Sequence, residues 1–175
     1  MDTWDPEAGN EVEVSSLVQF AVNSIQQFDL DGITISGGEP FQQPEALYAF
    51  SEGIRAECPG TDLLVYSGYT ARRLQLSYSH ILRLLDAVIS EPFVASNPTN
   101  LKWRGSANQR LLLLSLAAQE RYSGADDPSD DAVVQIGVDS AGLWVLGIPR
   151  RGGLPNFESR LLDEGVRLED VSWRA

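Results

Sequence analysis

The chain has 175 residues, with 25 acidic and 13 basic side chains and a formal net charge of −12. This length predicts a single domain with its own core, and the negative charge disfavours binding to nucleic acid through its phosphates. No apolar stretch approaches the roughly 18–20 residues that span a bilayer, and no signal peptide is visible, so the cytoplasm is the expected location.

One cysteine, Cys58, and one histidine, His80, restrict metal and redox chemistry. A single cysteine excludes an internal disulfide, and it supplies neither a structural zinc site nor an iron–sulfur cluster unaided. His80 has no second histidine to pair with, so a surface or packing role is expected. The acidic cluster at 126–131 predicts a solvated loop, since it lacks the pattern of a calcium loop.

The chain begins with a polar, irregular segment at 1–14, and a first helix follows it. Ser16 and Gln19 have the spacing of a capping box, and apolar residues then recur every three or four positions. A short apolar strand is predicted at 32–36. Pro44 suits the first turn of a second helix.

Three further elements continue the alternation. A second strand is predicted at 62–69, a third helix at about 70–86 and a third strand at 87–94. The inward face of that helix is predicted to consist of Leu74, Ile81, Leu82 and Leu85. Helices that alternate with strands imply parallel strands joined by helical crossovers.

The second half of the chain is less regular. A polar loop precedes a leucine run at 111–116, which fits either a buried strand or the start of a helix. Alternating residues at 133–149 predict a β-hairpin, and a last helix is expected to stop at Gly165. The predicted organisation is one domain with an irregular edge at 1–14, a β/α core at 15–110, and a hairpin and helix at 111–175.

The first predicted strand ends in Ser36-Gly37-Gly38-Glu39-Pro40. In parallel α/β folds, ligands bind beyond the carboxyl ends of the strands. Glycine lets a ligand approach the backbone, and the carbonyls and the Glu39 carboxylate accept hydrogen bonds, so an ammonium group suits this stretch better than a phosphate. The alternative is a tight strand-to-helix turn whose glycines serve geometry only.

"DGITISGGEPFQQPEAL" resembles the radical S-adenosylmethionine (SAM) superfamily, and it looks most like the activating enzymes of anaerobic ribonucleotide reductase and pyruvate formate-lyase. "TWDPEAG", "DLLVYSGYTARRL", "LLDAVISEPFV" and "RGSANQR" extend the likeness over most of residues 3–110, and the hairpin resembles the family more loosely. The resemblance implies a partial, open (β/α) barrel that lacks its first strand. It also implies SAM and a 4Fe–4S cluster as cofactors, and a glycyl-radical enzyme such as anaerobic ribonucleotide reductase as partner.

The family reaction would be reductive cleavage of SAM, followed by hydrogen abstraction from a glycine of the partner. The resemblance assigns the amino group of SAM to Gly37, Gly38 and Glu39, with Ser36 and Pro40 beside them. Ser67, at the end of the second strand, is expected to line the same pocket. The candidates for the SAM carboxylate or ribose, or for guiding the partner's glycyl loop, are Arg104, Ser106 and Asn108; holding the loop together is their alternative role. No catalytic acid or base is assigned.

The family's CxxxCxxC motif, which holds the cluster, is missing from this sequence. The polypeptide as it stands is therefore not expected to generate a 5′-deoxyadenosyl radical, because the cofactor performs the difficult chemistry. The sequence begins almost where the family's third cysteine would just have passed, and this abrupt start favours truncation over loss of the cluster. Truncation predicts a CxxxCxxC in the in-frame DNA upstream of Met1. Truncation would also leave the strand at 32–36 with a bare edge.

Two other functions are compatible with the sequence. Another small radical-SAM enzyme, such as a 7-carboxy-7-deazaguanine synthase, also carries GGEP, although "RGSANQ" argues for an activating enzyme. The chain could instead be a module that binds SAM or a partner protein without redox chemistry. Iron and sulfide analysis would separate these classes.

Overall fold

A computed structural model describes residues 11–128, 134–139, 142–149, 152–169 and 171. The helices are α1 (Val14–Phe28), α2 (Pro44–Glu57), α3 (Ala71–Ser77), α4 (Ser79–Leu82), α5 (Leu116–Arg121) and α6 (Gly153–Asp163). The strands are β1 (Gly32–Ile35), β2 (Asp62–Tyr66), β3 (Ala87–Ser90), β4 (Arg110–Leu113), β5 (Val134–Asp139) and β6 (Gly142–Gly147). A 3₁₀ turn, Pro40–Gln42, lies between β1 and α2.

The central sheet has four strands in the order β1-β2-β3-β4. β1 pairs with β2 and β2 with β3 in parallel, whereas β4 runs antiparallel to β3. The predicted α/β class with parallel strands is therefore confirmed. Within the described part of the chain, β1 has β2 as its sole strand neighbour, so its other edge has no strand partner there.

The core lies on both faces of β2 and β3, because successive side chains of a strand point to opposite faces. The fully buried side chains that pack with α1–α4 are Leu63, Val65 and Val88. Those that pack with α5 and the turn after it are Leu64, Ala87 and Ile89. Burial of one such side chain contributes roughly 1.5–3 kcal/mol for Val, Leu and Ile, so these two strands anchor the loops at their ends.

Two helix predictions are wrong in detail. The N-cap of α1 is Glu13, and Ser16 lies inside the helix, so the proposed capping box is not formed. The third predicted helix is broken at Tyr78 into α3 and α4. Its four predicted inward residues are nevertheless buried: Leu74, Ile81, Leu82 and Leu85.

Two strand predictions run too far. β2 ends at Tyr66. β3 ends at Ser90, because Glu91 takes a left-handed backbone conformation with φ of 78° that no strand can continue through. For the leucine run both predicted alternatives occur, one after the other: the strand β4 is followed by the helix α5. Ser115 separates them, since its Oγ accepts a hydrogen bond from Ala118 N and caps the helix.

The predicted hairpin is confirmed by β5 and β6, which pair from Val134↔Gly147 to Asp139↔Gly142. The tip of the hairpin, at 140–141, and the end of the acidic cluster, at 129–131, lie outside the described residues. α6 ends as predicted, with Gly165 at a positive φ of 82°. None of the helices in the described ranges combines the length and the hydropathy that a membrane span needs.

Candidate ligand site at the carboxyl end of the sheet

The turn after β1 presents open backbone. Gly37 and Gly38 have φ of 90° and 53°, a region that favours glycine. A Cβ placed on Gly37 would meet no atom within 4 Å, so packing does not require the glycine there. The backbone at this position is therefore accessible to a ligand, and Ser36, Gly37 and Gly38 are all exposed.

Glu39 is buried directly beside this open turn, with 8% of its surface exposed. Its Oε1 accepts hydrogen bonds from Phe41 N at 3.1 Å and from Ser67 Oγ at 2.8 Å. Its Oε2 accepts one from Gly68 N at 2.7 Å. The carboxylate thus connects the turn after β1 to the end of β2, and it brings Glu39 and Ser67 into contact.

The electrostatics of Glu39 are unusual because all three of its donors are neutral groups. The ion pairs in the described part of the chain join other residues, and no arginine, lysine or histidine among them neutralises Glu39. A carboxylate held away from water without a cation is costly. The two oxygens offer about four acceptor positions, of which the three donors occupy three. The site can therefore accept a cationic hydrogen-bond donor.

Further hydrogen bonds connect the carboxyl ends of β2 and β3. Ser67 N donates to Ile89 O at 2.9 Å, and Ser67 Oγ accepts from Tyr69 N at 3.0 Å. Glu91 N donates to Tyr69 O, and Glu91 Oε1 accepts from Ala71 N at the start of α3. The role of Glu91 was not predictable from the sequence, because neither its left-handed conformation nor its distant partners produce a local sequence pattern.

Arg104 lies in the loop between β3 and β4 and is 5% exposed. It forms an ion pair of 2.5 Å with Asp126, whose side chain is 87% exposed. Its Nε is buried and has no hydrogen-bond partner among the described residues. The observed pairing is a structural role, and contact with SAM remains a prediction.

Ser106 and Asn108 hold the same loop together. Ser106 is fully buried, and its Oγ accepts a hydrogen bond from Val94 N at 3.1 Å. Asn108 Nδ2 donates to Pro92 O at 2.7 Å, whereas its Oδ1 is buried without a partner among the described residues. These contacts run within the loop and do not bring either residue to Glu39.

The two unpartnered atoms differ in character: Arg104 Nε is a donor and Asn108 Oδ1 is an acceptor. A buried donor or acceptor left unpaired costs about 1–3 kcal/mol. Both atoms have almost no solvent-accessible surface, so neither is exposed to a ligand in this conformation. Contact of Arg104 or Asn108 with SAM stays a prediction.

The residues of this chain do not fit a 4Fe–4S cluster. Cys58 is the one cysteine of the sequence, and it caps the end of α2 just before β2, at the amino end of the sheet. Glu39 and the glycine turn lie at the opposite end. No group of three His, Cys, Asp or Glu able to hold a metal ion occurs in the described ranges. The ammonium group of SAM, by contrast, fits the open acceptor position at Glu39.

The amino end of the sheet carries a second set of buried carboxylates. Asp86 accepts hydrogen bonds from Arg55 Nη2 at 2.5 Å, Ser115 Oγ at 2.6 Å and Leu63 N at 2.9 Å. Burial alone would raise the pKa of Asp86, but the hydrogen bonds from Ser115, Arg55 and Leu63 and the charge of Arg55 outweigh it and lower that pKa. Asp86 is therefore held ionised by the protein itself.

Asp62, at the start of β2, behaves differently. It accepts a hydrogen bond from Tyr122 Oη at 2.5 Å, and Arg121 lies 3.7 Å away. Burial is the main reason that the pKa of Asp62 is raised above its ordinary value, because it outweighs the hydrogen bond from Tyr122 and the charge of Arg121. The pKa values of Asp62 and Asp86 are thus shifted in opposite directions.

Comparison with known proteins gives one family and several relatives. A family model described as a 4Fe-4S single cluster domain matches residues 1–112. The anaerobic ribonucleoside-triphosphate reductase-activating protein of Escherichia coli (strain K12) is 36% identical over 81 residues, which are 45% of this chain and 53% of that protein. The protein of the same name in Enterobacteria phage T4 is 26% identical over 111 residues, 62% of this chain and 69% of the phage protein.

The protein of that name in Haemophilus influenzae is also 36% identical, with 52% of its length covered. The chain therefore spans about half the length of the bacterial relatives that it matches. No solved structure matches the chain significantly.

Proposed function

This chain belongs to the 4Fe–4S single cluster domain family, and from that premise we propose that it provides the SAM-binding part of a protein that activates anaerobic ribonucleotide reductase. The observation that carries the proposal is the buried carboxylate of Glu39 beside the open Gly37. Among the described residues it has three neutral donors, no cation and one free acceptor position. An ammonium group supplies both the missing charge and the missing donor.

The proposed fold is a partial, open (β/α) barrel. Three consecutive parallel strands in the order β1-β2-β3, each followed by a polar turn at its carboxyl end, support it. In such folds the ligand lies across the carboxyl ends of neighbouring strands, which is where Glu39 and Ser67 meet.

The proposed task of these residues is to bind and orient SAM. Glu39 and the carbonyl groups of the glycine turn accept the ammonium group, and the loop residues Arg104, Ser106 and Asn108 are the candidates for the carboxylate or the ribose. Reductive cleavage of SAM is the chemistry that a cluster supplies in this family. The 175 residues contain one cysteine, so they do not hold that cluster by themselves and do not perform the cleavage alone.

The proposed partner is an anaerobic ribonucleotide reductase. The curated relatives are named as activating proteins for that enzyme. Their names support an activating function over the function of a 7-carboxy-7-deazaguanine synthase. The family reaction on this partner is hydrogen abstraction from a glycine.

A second candidate function is a module that binds SAM or a partner protein without redox chemistry. The observation that favours it is the position of Cys58, which is the one cysteine and lies at the wrong end of the sheet for the site. Anaerobic reconstitution with iron and sulfide distinguishes the candidates. A bound 4Fe–4S cluster with SAM cleavage by these 175 residues would show that the argument from the missing cysteines is wrong.

The ligand site is tested by titrating SAM against wild type, Glu39→Ala and the matched control Glu120→Ala, which removes an exposed carboxylate in α5. We expect Glu39→Ala to weaken binding by about tenfold or more, because a charged hydrogen bond is lost. Glu120→Ala should bind like wild type. Equal affinity of wild type and Glu39→Ala would remove Glu39 from the site.

A further inference from the structure

We propose that Ser67 is a positioning residue, which acts through Glu39 by leaving only Oε2 of the carboxylate free for the ligand's ammonium group. This inference rests on the proposed function, since it concerns how the same site recognises an ammonium-bearing ligand. It differs from the prediction that Ser67 itself binds the cofactor.

The two oxygens of Glu39 are not equivalent. Oε1 accepts from both Phe41 N and Ser67 Oγ, which together fill its two acceptor positions. In the described ranges Oε2 accepts from Gly68 N alone, so one acceptor position remains on it. The donor arrangement therefore directs an incoming ammonium group to Oε2.

The hydroxyl of Ser67 has a fixed orientation. An ionised carboxylate only accepts hydrogen bonds, so Ser67 must donate its proton to Glu39 Oε1 at 2.8 Å. The same oxygen accepts from Tyr69 N at 3.0 Å, and the backbone of Ser67 is tied to Ile89 O. Ser67 is 5% exposed, so its hydroxyl bonds to groups inside the protein and not to solvent.

Loss of this hydroxyl affects two of the three contacts of Glu39. Ser67→Ala removes the donor to Oε1 directly. It also leaves Tyr69 N unpaired, which loosens the turn that presents Gly68 N to Oε2. The carboxylate then has no single preferred oxygen for the ligand, so recognition of an ammonium group weakens.

The measurement is the ammonium preference, defined as the ratio of two dissociation constants. The probes are S-adenosylhomocysteine and its deaminated analogue, in which hydrogen replaces the amino group; neither requires a cluster. We expect wild type to prefer the amino compound, Ser67→Ala to lose about tenfold of that preference, and Ser67→Thr, which keeps the hydroxyl, to retain it. Affinity for the deaminated analogue should change little.

Ser51→Ala is the matched control. Ser51 is fully buried, and its hydroxyl donates to Leu47 O within α2, so the variant loses a buried hydrogen bond without touching Glu39. Its ammonium preference should equal that of wild type. If Ser67→Ala does not fold, Ser67→Cys replaces it, because a thiol is a weaker donor of similar size.

The outcomes separate the two proposals. A wild-type protein that binds both probes equally overturns the proposed function together with this inference. A wild-type preference that persists in Ser67→Ala, or in Ser67→Cys where that variant replaces it, overturns the positioning role alone. A preference lost in both Ser67→Ala and Ser67→Thr also overturns it, since the hydroxyl would then not be the cause.

Discussion

The two ends of the parallel strands hold buried carboxylates in opposite ways. At the amino end, Asp86 accepts three hydrogen bonds, and one of its donors is the cation Arg55. At the carboxyl end, Glu39 also accepts three, from Ser67 Oγ and two backbone N–H groups. The number of hydrogen bonds is the same at both ends, and the charge balance is not.

This difference supports the proposal that the ligand binds at the carboxyl end. A carboxylate neutralised by its own protein has no need of an outside cation, whereas one surrounded by neutral donors gains from binding one. The number of hydrogen bonds alone does not distinguish Asp86 from Glu39, since each accepts three. The charge of the donors distinguishes the structural carboxylate of Asp86 from that of Glu39, for which we propose ligand recognition.

Of the changes at the two ends of the sheet, removal of Asp86 should have the largest effect. Asp86→Ala leaves Arg55, Leu63 N and Ser115 without their shared acceptor, and we expect a loss of about 3 kcal/mol in the free energy of unfolding. Urea denaturation measures it, with Asp163→Ala in α6 as an exposed control. SAM affinity of the folded fraction should stay at the wild-type value, and a loss of binding without a loss of stability would reverse the roles of the two ends.

Gly37→Ala tests whether a ligand contacts the backbone at the carboxyl end of the sheet. The φ of 90° is unfavourable for alanine, which costs about 1 kcal/mol, but no atom lies within 4 Å of the added Cβ. We therefore expect a small loss of stability by urea denaturation and a clear loss of SAM affinity by titration. Unchanged affinity would show that the ligand does not approach this backbone.

The smallest expected effect is a pH dependence at the amino end. The folded pKa of Asp62 is raised above its value of 3.8, so the folded state takes up a proton first and gains stability as pH falls from neutral towards that value. The lowered pKa of Asp86 acts oppositely, since its contribution is present above 3.8 and is lost as pH falls through the folded pKa.

Asp62→Asn isolates the first of these effects. Wild type should gain stability relative to Asp62→Asn as pH is lowered from 7 towards 4. Urea denaturation of both proteins at several pH values measures the difference. A difference that stays constant with pH would mean that Asp62 does not titrate in this range.

The sequence pattern identified most of the fold because burial leaves a periodic trace. Alternating helices and strands, the inward face at Leu74 and Ile81, and the stop at Gly165 were all readable. The break at Tyr78 and the left-handed Glu91 were not. Glu91 is fixed by contacts with Tyr69 and Ala71, which lie about twenty residues earlier in the chain.

The candidate site was predicted from its motif, whereas its geometry was not predictable from the sequence. Gly37, Gly38 and Glu39 were marked by residue type, since glycines and a carboxylate after a strand are visible in any sequence. The bond from Ser67 to Glu39 joins residues 28 positions apart, and it depends on side-chain rotamers that no local pattern encodes. For Arg104 the sequence left two roles open, and the pairing with Asp126 shows the structural one.

The link from Glu39 to the end of β2 has a consequence for motion. Within the described chain, β1 is held by one strand, so its local opening should cost less than that of β2 or β3. Such an opening separates Glu39 from Ser67 and Gly68 and removes the binding geometry. A ligand that binds only the closed form therefore protects the edge strand, and amide exchange in β1 and ligand affinity report the same equilibrium.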